Sequence, residues 1–175
     1  MTSDGIDSSD MYRSALVNAV AAVDAYVHGV IIDFGVDIIL GRRPAGSKGK
    51  LGLPVGAIAD ILTATSAIEQ ELRARTHVTE RLSHETFQKP DDIGNAFALV
   101  GLPKLWAAIF GQQAGVEKLA LGLIVARRNV IVHSCDVDPA LPTTVNGIID
   151  QDAIDALATV ERIILEIDRY VSSAV

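Results

Sequence analysis

The stretch ALVNAVAAVDAYVHGVIIDF, residues 15–34, decides the fold class. Leu16, Val20, Val23, Val27, Ile31 and Phe34 recur three and four positions apart. That spacing lays one apolar stripe along an α-helix, whereas a strand would alternate with a period of two. The helix is expected to run from Asp10-Met11 to about Leu40, with Ser9 or Asp10 as its cap. Gly29 and Gly35 each weaken its interior by about 1 kcal/mol against alanine and offer a bend or a close helix crossing.

The same period recurs downstream. Residues 41–54, GRRPAGSKGKLGLP, form a loop rich in glycine and proline that carries Arg42, Arg43, Lys48 and Lys50. A second helix is expected from Val55 to about Arg75, with Ile58, Ile61, Leu62, Thr65, Ile68 and Leu72 inward. A more polar continuation stops at Lys89-Pro90, because a residue before proline avoids the α region. PDDIGNAFALVG and PKLWAAIFG read as short helices. A long helix follows from Gly115 or Val116 to about His133, and then a loop, SCDVDPALPTTVNG. Asp150 or Asp152 caps the last helix, whose inward positions are Ile154, Leu157, Val160, Ile164, Ile167 and Val171. Strand alternation appears nowhere. The expected fold is all-α: a bundle of four to five helices, with short connecting helices, over residues 10–175 behind a flexible tail at 1–9. The broad apolar arcs of the first and last helices imply either a fully wrapped helix or a dimer interface.

Composition narrows the function classes. Apolar residues make up 49% of the chain, which excludes disorder over most of its length. The single cysteine, Cys135, leaves no disulfide within the chain and suits a reducing cytoplasm. The start, MTSDGIDSSD, lacks the basic and apolar regions of a signal peptide. Each long apolar run contains charge, such as Asp33 and Asp37 in residues 26–40, so no membrane span is expected. A net charge of −7 repels polyanions, so any nucleic-acid site must rest on local positive charge.

One segment supplies that charge beside a titratable group: RRNVIVHSCDVD, residues 127–138. On a helix Asn129 and His133 share a face, one turn apart. Arg128 lies five residues before His133, about 140° round the axis, and its long side chain can swing toward the same pocket. These residue types fit RNA cleavage without a metal or any other cofactor. An imidazole near neutral pKa takes the proton from a ribose 2′-hydroxyl, and a second, protonated imidazole serves the leaving 5′-oxygen. Arginine presents a fixed fork of donors to the phosphate oxygens that gain charge in the transition state. One chain carries one such histidine, so two require a symmetric dimer. The plainer account is a helix end, where the dipole favours Arg and His by about 0.3–1 kcal/mol each.

In this context the segment resembles the signature of HEPN domains, an Arg and a His with four to six residues between them and a polar residue directly after the Arg; here these are Arg128, Asn129 and His133, with four residues between Arg and His. The first helix, with Asp24 and Tyr26, is similar to that family's opening helix, and PDDIGNAFALVGLPKLW looks like the connector of the RiboL-PSP-HEPN branch. The resemblance spans about Met11 to Tyr170. It implies an all-α homodimer and a metal-independent endoribonuclease, cytoplasmic, in toxin–antitoxin, phage-defence or RNA-processing systems. The products would end in a 2′,3′-cyclic phosphate. Arg128 would bind the scissile phosphate, Asn129 would orient it and His133 would be the acid/base. Asp24 would hold Arg128, with Tyr26 packing nearby and Arg127 as a second phosphate contact or a solvated charge. The acidic loop residues Asp136 and Asp138 depart from what an RNA site wants.

Other features carry less. The basic loop does not follow the phosphate-loop order and has no strand before it, but its Arg42, Arg43, Lys48 and Lys50 can reach an RNA backbone. His77, Glu80 and His84 share a helical face without the close shell that zinc requires, so no metal is expected. Cys135 lacks an orienting partner for thiol chemistry. Trp106 belongs to the core. The competing class is a catalytically silent HEPN-like module that binds a nucleotide, an antitoxin or another protein. Partners under the first reading are RNA, with tRNA a candidate substrate, and an antitoxin.

Overall fold

Apolar period and end signals together account for the helices of the computed structural model, which describes residues 8–46, 50–138 and 140–173. These are α1 (Ser9–Ile39), α2 (Val55–Leu62), α3 (Ala67–Leu82), α4 (Pro90–Leu99), α5 (Leu105–Phe110), α6 (Ala114–Ser134) and α7 (Asp150–Ser173), with a 3₁₀ turn at Gly111–Gln113. A short antiparallel hairpin, β1 (Val137–Asp138) and β2 (Leu141–Val145), separates α6 from α7 along the chain. The protein is predominantly helical.

The chain divides into two compact units, one of Met1–Val23 with Ile109–Val175 and one of Asp24–Ala108. The boundary falls within α1. In the first unit Leu16, Val20 and Val23 of α1 are buried, as are Leu121 and Val125 of α6. The buried stripe of α7 is Ala153, Ala156, Val160, Ile163, Ile167 and Val171. This corrects the expected stripe: Ile154 and Leu157 are exposed. Two neighbouring faces of that helix are apolar, and the one bearing the small Ala153 and Ala156 turns inward. The segment read as a loop after His133 folds partly into the hairpin, with Val137 opposite Val145 and Asp138 opposite Leu141 around an irregularity. The β-branched run Thr143-Thr144-Val145 favours that extended form.

In the second unit the α1 stripe continues through Val27, Ile31 and Phe34, all buried as its period requires. Trp106 is buried and its Nε1 donates to the Pro90 carbonyl at 2.7 Å. Gly35 serves a close approach: a Cβ there would stand 3.0 Å from Leu51 Cδ1 and 3.3 Å from Val78 Cγ1. Gly29 has nothing within 4 Å and plays no such part. The single helix expected from Val55 to Arg75 is two helices. Ser66 stops the continuation by capping α3, its Oγ accepting from the Glu69 amide at 3.2 Å. The Glu69 carboxylate reaches back to the Thr65 amide at 2.8 Å and the Thr65 hydroxyl at 2.7 Å. A local cap therefore overrides apolar spacing. As a result, of the residues expected inward only Ile61 is buried, while Ile58, Leu62, Thr65, Ile68 and Leu72 are exposed.

By length and composition α1 is apolar enough to cross a membrane. One stripe of it, Leu16, Val20, Val23, Val27 and Ile31, is buried inside the protein.

Ser66→Ala removes the cap and is expected to cost about 1 kcal/mol in urea unfolding. The Thr65 hydroxyl, then the Thr65 amide and Arg73, pull the Glu69 carboxyl down from the ordinary 4.5 to about 2. A depressed carboxylate stabilises the fold above its unfolded pKa. Acid titration should therefore show a loss of stability between about 4.5 and about 2 that Glu69→Gln abolishes.

Candidate functional site

The last two turns of α6 carry the motif, and the way that helix ends bears on where His133 stands. Cys135 closes the helix in the left-handed region, at φ 50° and ψ 31°. Asp136 follows at φ 59°. The Cys135 amide donates to the Val130 carbonyl, a six-residue closure of the kind usually built on glycine, and the Asp136 amide shares that carbonyl at 3.2 Å. Neither residue is a glycine, so each pays left-handed strain of about 1–2 kcal/mol.

The reversal delivers the Asp136 side chain to a fully buried position, 0% exposed. Arg127, nine residues back on α6, forks onto the carboxylate, with Nη1 on Oδ1 and Nη2 on Oδ2 at 2.8 Å. Arg13 of α1 adds its Nε to Oδ2 at 2.8 Å. Asn146 donates its amide side chain to the Asp136 carbonyl at 2.9 Å and its backbone N–H to the same oxygen at 2.7 Å. The hydrogen bond to Asp136 is the main cause that raises the Arg13 pKa, so this cation stays charged. Ser9 Oγ and Asp10 Oδ1 hold the same guanidinium at 2.6 Å and 3.0 Å. Arg127 is thus a bound ion-pair partner. Asp136, read from sequence as part of an acidic loop unfavourable to RNA, is buried in the protein.

Arg128 differs from its neighbour. It is half-buried, and its Nη1 donates to Asn129 Oδ1 at 3.1 Å. Its Nε is buried and meets no acceptor among the described residues. His133 is exposed, one residue from the end of α6. Asn129 and His133 are about 40° apart round the helix, one turn apart in height, and Arg128 is about 140° from His133. The structure therefore joins Arg128 to Asn129 directly and presents His133 one turn later to solvent.

The supporting residues are placed as follows. The Asp24 carboxylate, expected to hold Arg128, accepts the Phe87 amide. His28 Nδ1 lies 2.9 Å from the Asp24 carbonyl, and the His28 ring packs on Phe87 at 4.5 Å between centroids. Tyr26 is half-buried in the same helix. Of the basic-loop cations, Arg42 binds Glu71 at 2.6 Å and Asp37 at 3.5 Å, and Arg43 stacks over Phe34 at 3.7 Å. Lys50 is exposed, and Lys48 lies outside the described residues. His77 Nε2 is 2.8 Å from Asp60 Oδ2, a carboxylate that also binds Arg73. Among the described residues no group of three or more His, Cys, Asp and Glu side chains could hold a metal ion.

Arg13, Asp136 and Asn146 were not singled out from sequence as members of one site. Arg13 and Asp136 are 123 residues apart, and no local pattern connects them. No protein-family model, curated protein or solved structure matches the chain.

The two adjacent arginines should separate in a stability measurement. Arg127→Met strands a buried carboxylate and is expected to cost about 3 kcal/mol or more in chemical denaturation. Arg128→Met removes a buried donor that has no acceptor, so stability should hold or rise.

Proposed function

We propose that the protein is a metal-independent endoribonuclease of the HEPN type, acting as a homodimer. The observation that carries this reading is the Arg128 guanidinium, half-buried and hydrogen-bonded to Asn129, with a buried Nε that lacks an acceptor. A buried donor costs about 1–3 kcal/mol when left unmet. A phosphate oxygen is the acceptor such a fork takes best. The exposure of His133 one turn beyond Asn129 leaves an imidazole open to a substrate hydroxyl.

Support for a second copy comes from α6. This helix of 21 residues buries only Leu121 and Val125. Val116, Leu119 and Leu123 are 60%, 63% and 63% exposed. Spaced three and four apart, they begin a stripe that continues through Ala126 and Val130 to His133. Two such stripes packed about a twofold axis would bury apolar surface and bring two copies of His133 together.

In this reading His133 of one copy takes the ribose 2′-hydroxyl proton, and the 2′-oxygen attacks phosphorus. His133 of the other copy, protonated, gives its proton to the departing 5′-oxygen. A 2′,3′-cyclic phosphate and a free 5′-hydroxyl result. Arg128 neutralises the charge that builds on the non-bridging oxygens, and Asn129 orients the arginine. The substrate is RNA, with tRNA the first candidate, and the reading carries with it a cytoplasmic location and an antitoxin as protein partner.

A second reading, a silent interaction module, draws on an adjoining groove that shares Leu123 with the α6 stripe. The groove, of about 570 Å³ between α6 and α7, is lined by Leu16, Ala120, Leu123, Ile124 and Ala156 together with Asp152 and Asp155. Such a groove suits a helical partner.

Purified protein incubated with total tRNA in EDTA should yield fragments ending in cyclic phosphate. His133→Ala is expected to lower the cleavage rate at least about 100-fold, within the range for general acid–base catalysis. Equal cleavage by wild type and variant would remove His133 from the chemistry.

A further inference from the structure

We infer that Asp136, gripped by Arg127 and Arg13, is a positioning residue for His133: the buried clamp holds the strained reversal that fixes the last turn of α6. The inference rests on the reading of His133 as the proton-transfer group, but its geometric part stands by itself.

Helix ends fray unless something stops them. Here the end is closed by two consecutive left-handed residues, Cys135 and Asp136, at φ 50° and 59°. Neither has the freedom of glycine, so the reversal needs an external hold. The hold is the carboxylate of Asp136, buried at 0% exposure and bound by Arg127 from within α6 and by Arg13 from α1. Asn146 locks the Asp136 carbonyl at 2.7 Å and 2.9 Å, and Arg13 Nη2 binds the Asn146 carbonyl at 2.9 Å. Arg127 Nη2 also meets the Gly147 carbonyl at 3.2 Å. The start of α1, the end of α6 and the segment just after β2 are thus tied together around Asp136. His133 stands three residues before that carboxylate, on an exposed face with little packing of its own. Its backbone direction is set by the clamp. The Arg128–Asn129 contact one turn earlier lies in the helix body and does not need it.

The test uses the full chain and two independent readouts. Asp136→Asn keeps the shape of the side chain and removes its charge. Hydrogen exchange of the 131–134 amides should quicken by about tenfold or more, while α7 amides keep their protection. The His133 ring resonances should broaden or shift. Cleavage of tRNA should fall in kcat by about 100-fold, with KM within about twofold, because misplacement of a reacting group acts on the chemical step. Arg13→Gln removes one arm only and should give a smaller change of the same kind; it also serves should Asp136→Asn fail to fold.

Rescue separates positioning from general loss of structure. Cys135→Gly relieves the left-handed strain. Added to Asp136→Asn, it should restore the protection of 131–134 and recover at least part of kcat. Unchanged exchange and unchanged His133 resonances in both Asp136→Asn and Arg13→Gln would overturn the inference. So would a double variant no better ordered than Asp136→Asn. Wild-type protein that cuts no RNA would sink the nuclease reading instead, and the exchange data would still decide whether the clamp holds His133.

Discussion

Among the described residues of the first unit, Asp136 is a fully buried negative charge on which the arrangement of three elements depends. Removing a carboxylate from water costs several kcal/mol, and only close, well-aligned partners repay it. Asp136 has them: a bidentate arginine from its own helix and a second arginine from the first turns of α1. Because the anion cannot stay buried without both elements in place, it specifies how α1, α6 and the β-hairpin meet. Apolar packing alone would tolerate sliding among the Val, Ile and Leu side chains of these helices. A charged hydrogen bond does not.

This constraint divides two adjacent arginines that look equivalent in the sequence. Arg127 is consumed by structure. Arg128, about 100° further round the helix, donates to Asn129 and keeps a buried Nε that meets no acceptor among the described residues. Adjacent residues on a helix face different surroundings, so one can be spent on folding while the next is not. Under the proposed function the net charge of −7 sharpens the contrast, because a phosphate would have to find its positive charge locally. Proposed roles for Arg128 and His133 are compatible with the strain at Cys135 and Asp136, since left-handed non-glycine residues persist only where surrounding contacts over-determine them.

The second unit has an apolar core, and its described ion pairs are partly exposed. Asp60 receives both Arg73 and His77, and Arg42 reaches Glu71. Such pairs are individually weak in solvent. They bind the basic loop's Arg42 back onto its own unit, so a cation that looked available in sequence is already engaged. Exposed Val55, Leu62, Ile68 and Leu72 leave this unit with an apolar surface that ordinary burial does not explain.

Sequence alone determined the helical class, the core stripe from Leu16 to Phe34, and the ends of α4, α6 and α7. All of these are short-range: helical period, caps and proline placement act within a few residues. Where two local signals competed, as at Ser66 against the apolar spacing of 55–75, period alone misjudged the outcome. The inward face of α7 was likewise undecided by spacing, because two apolar faces lay side by side. Tertiary structure alone decided that Asp136 is buried, that Arg127 and Arg13 hold it, and that Asp24 serves the Phe87 amide. Those pairings join residues 9, 123 and 63 positions apart. The energy of a buried charge depends on what surrounds it in space, and no pattern along the chain records that.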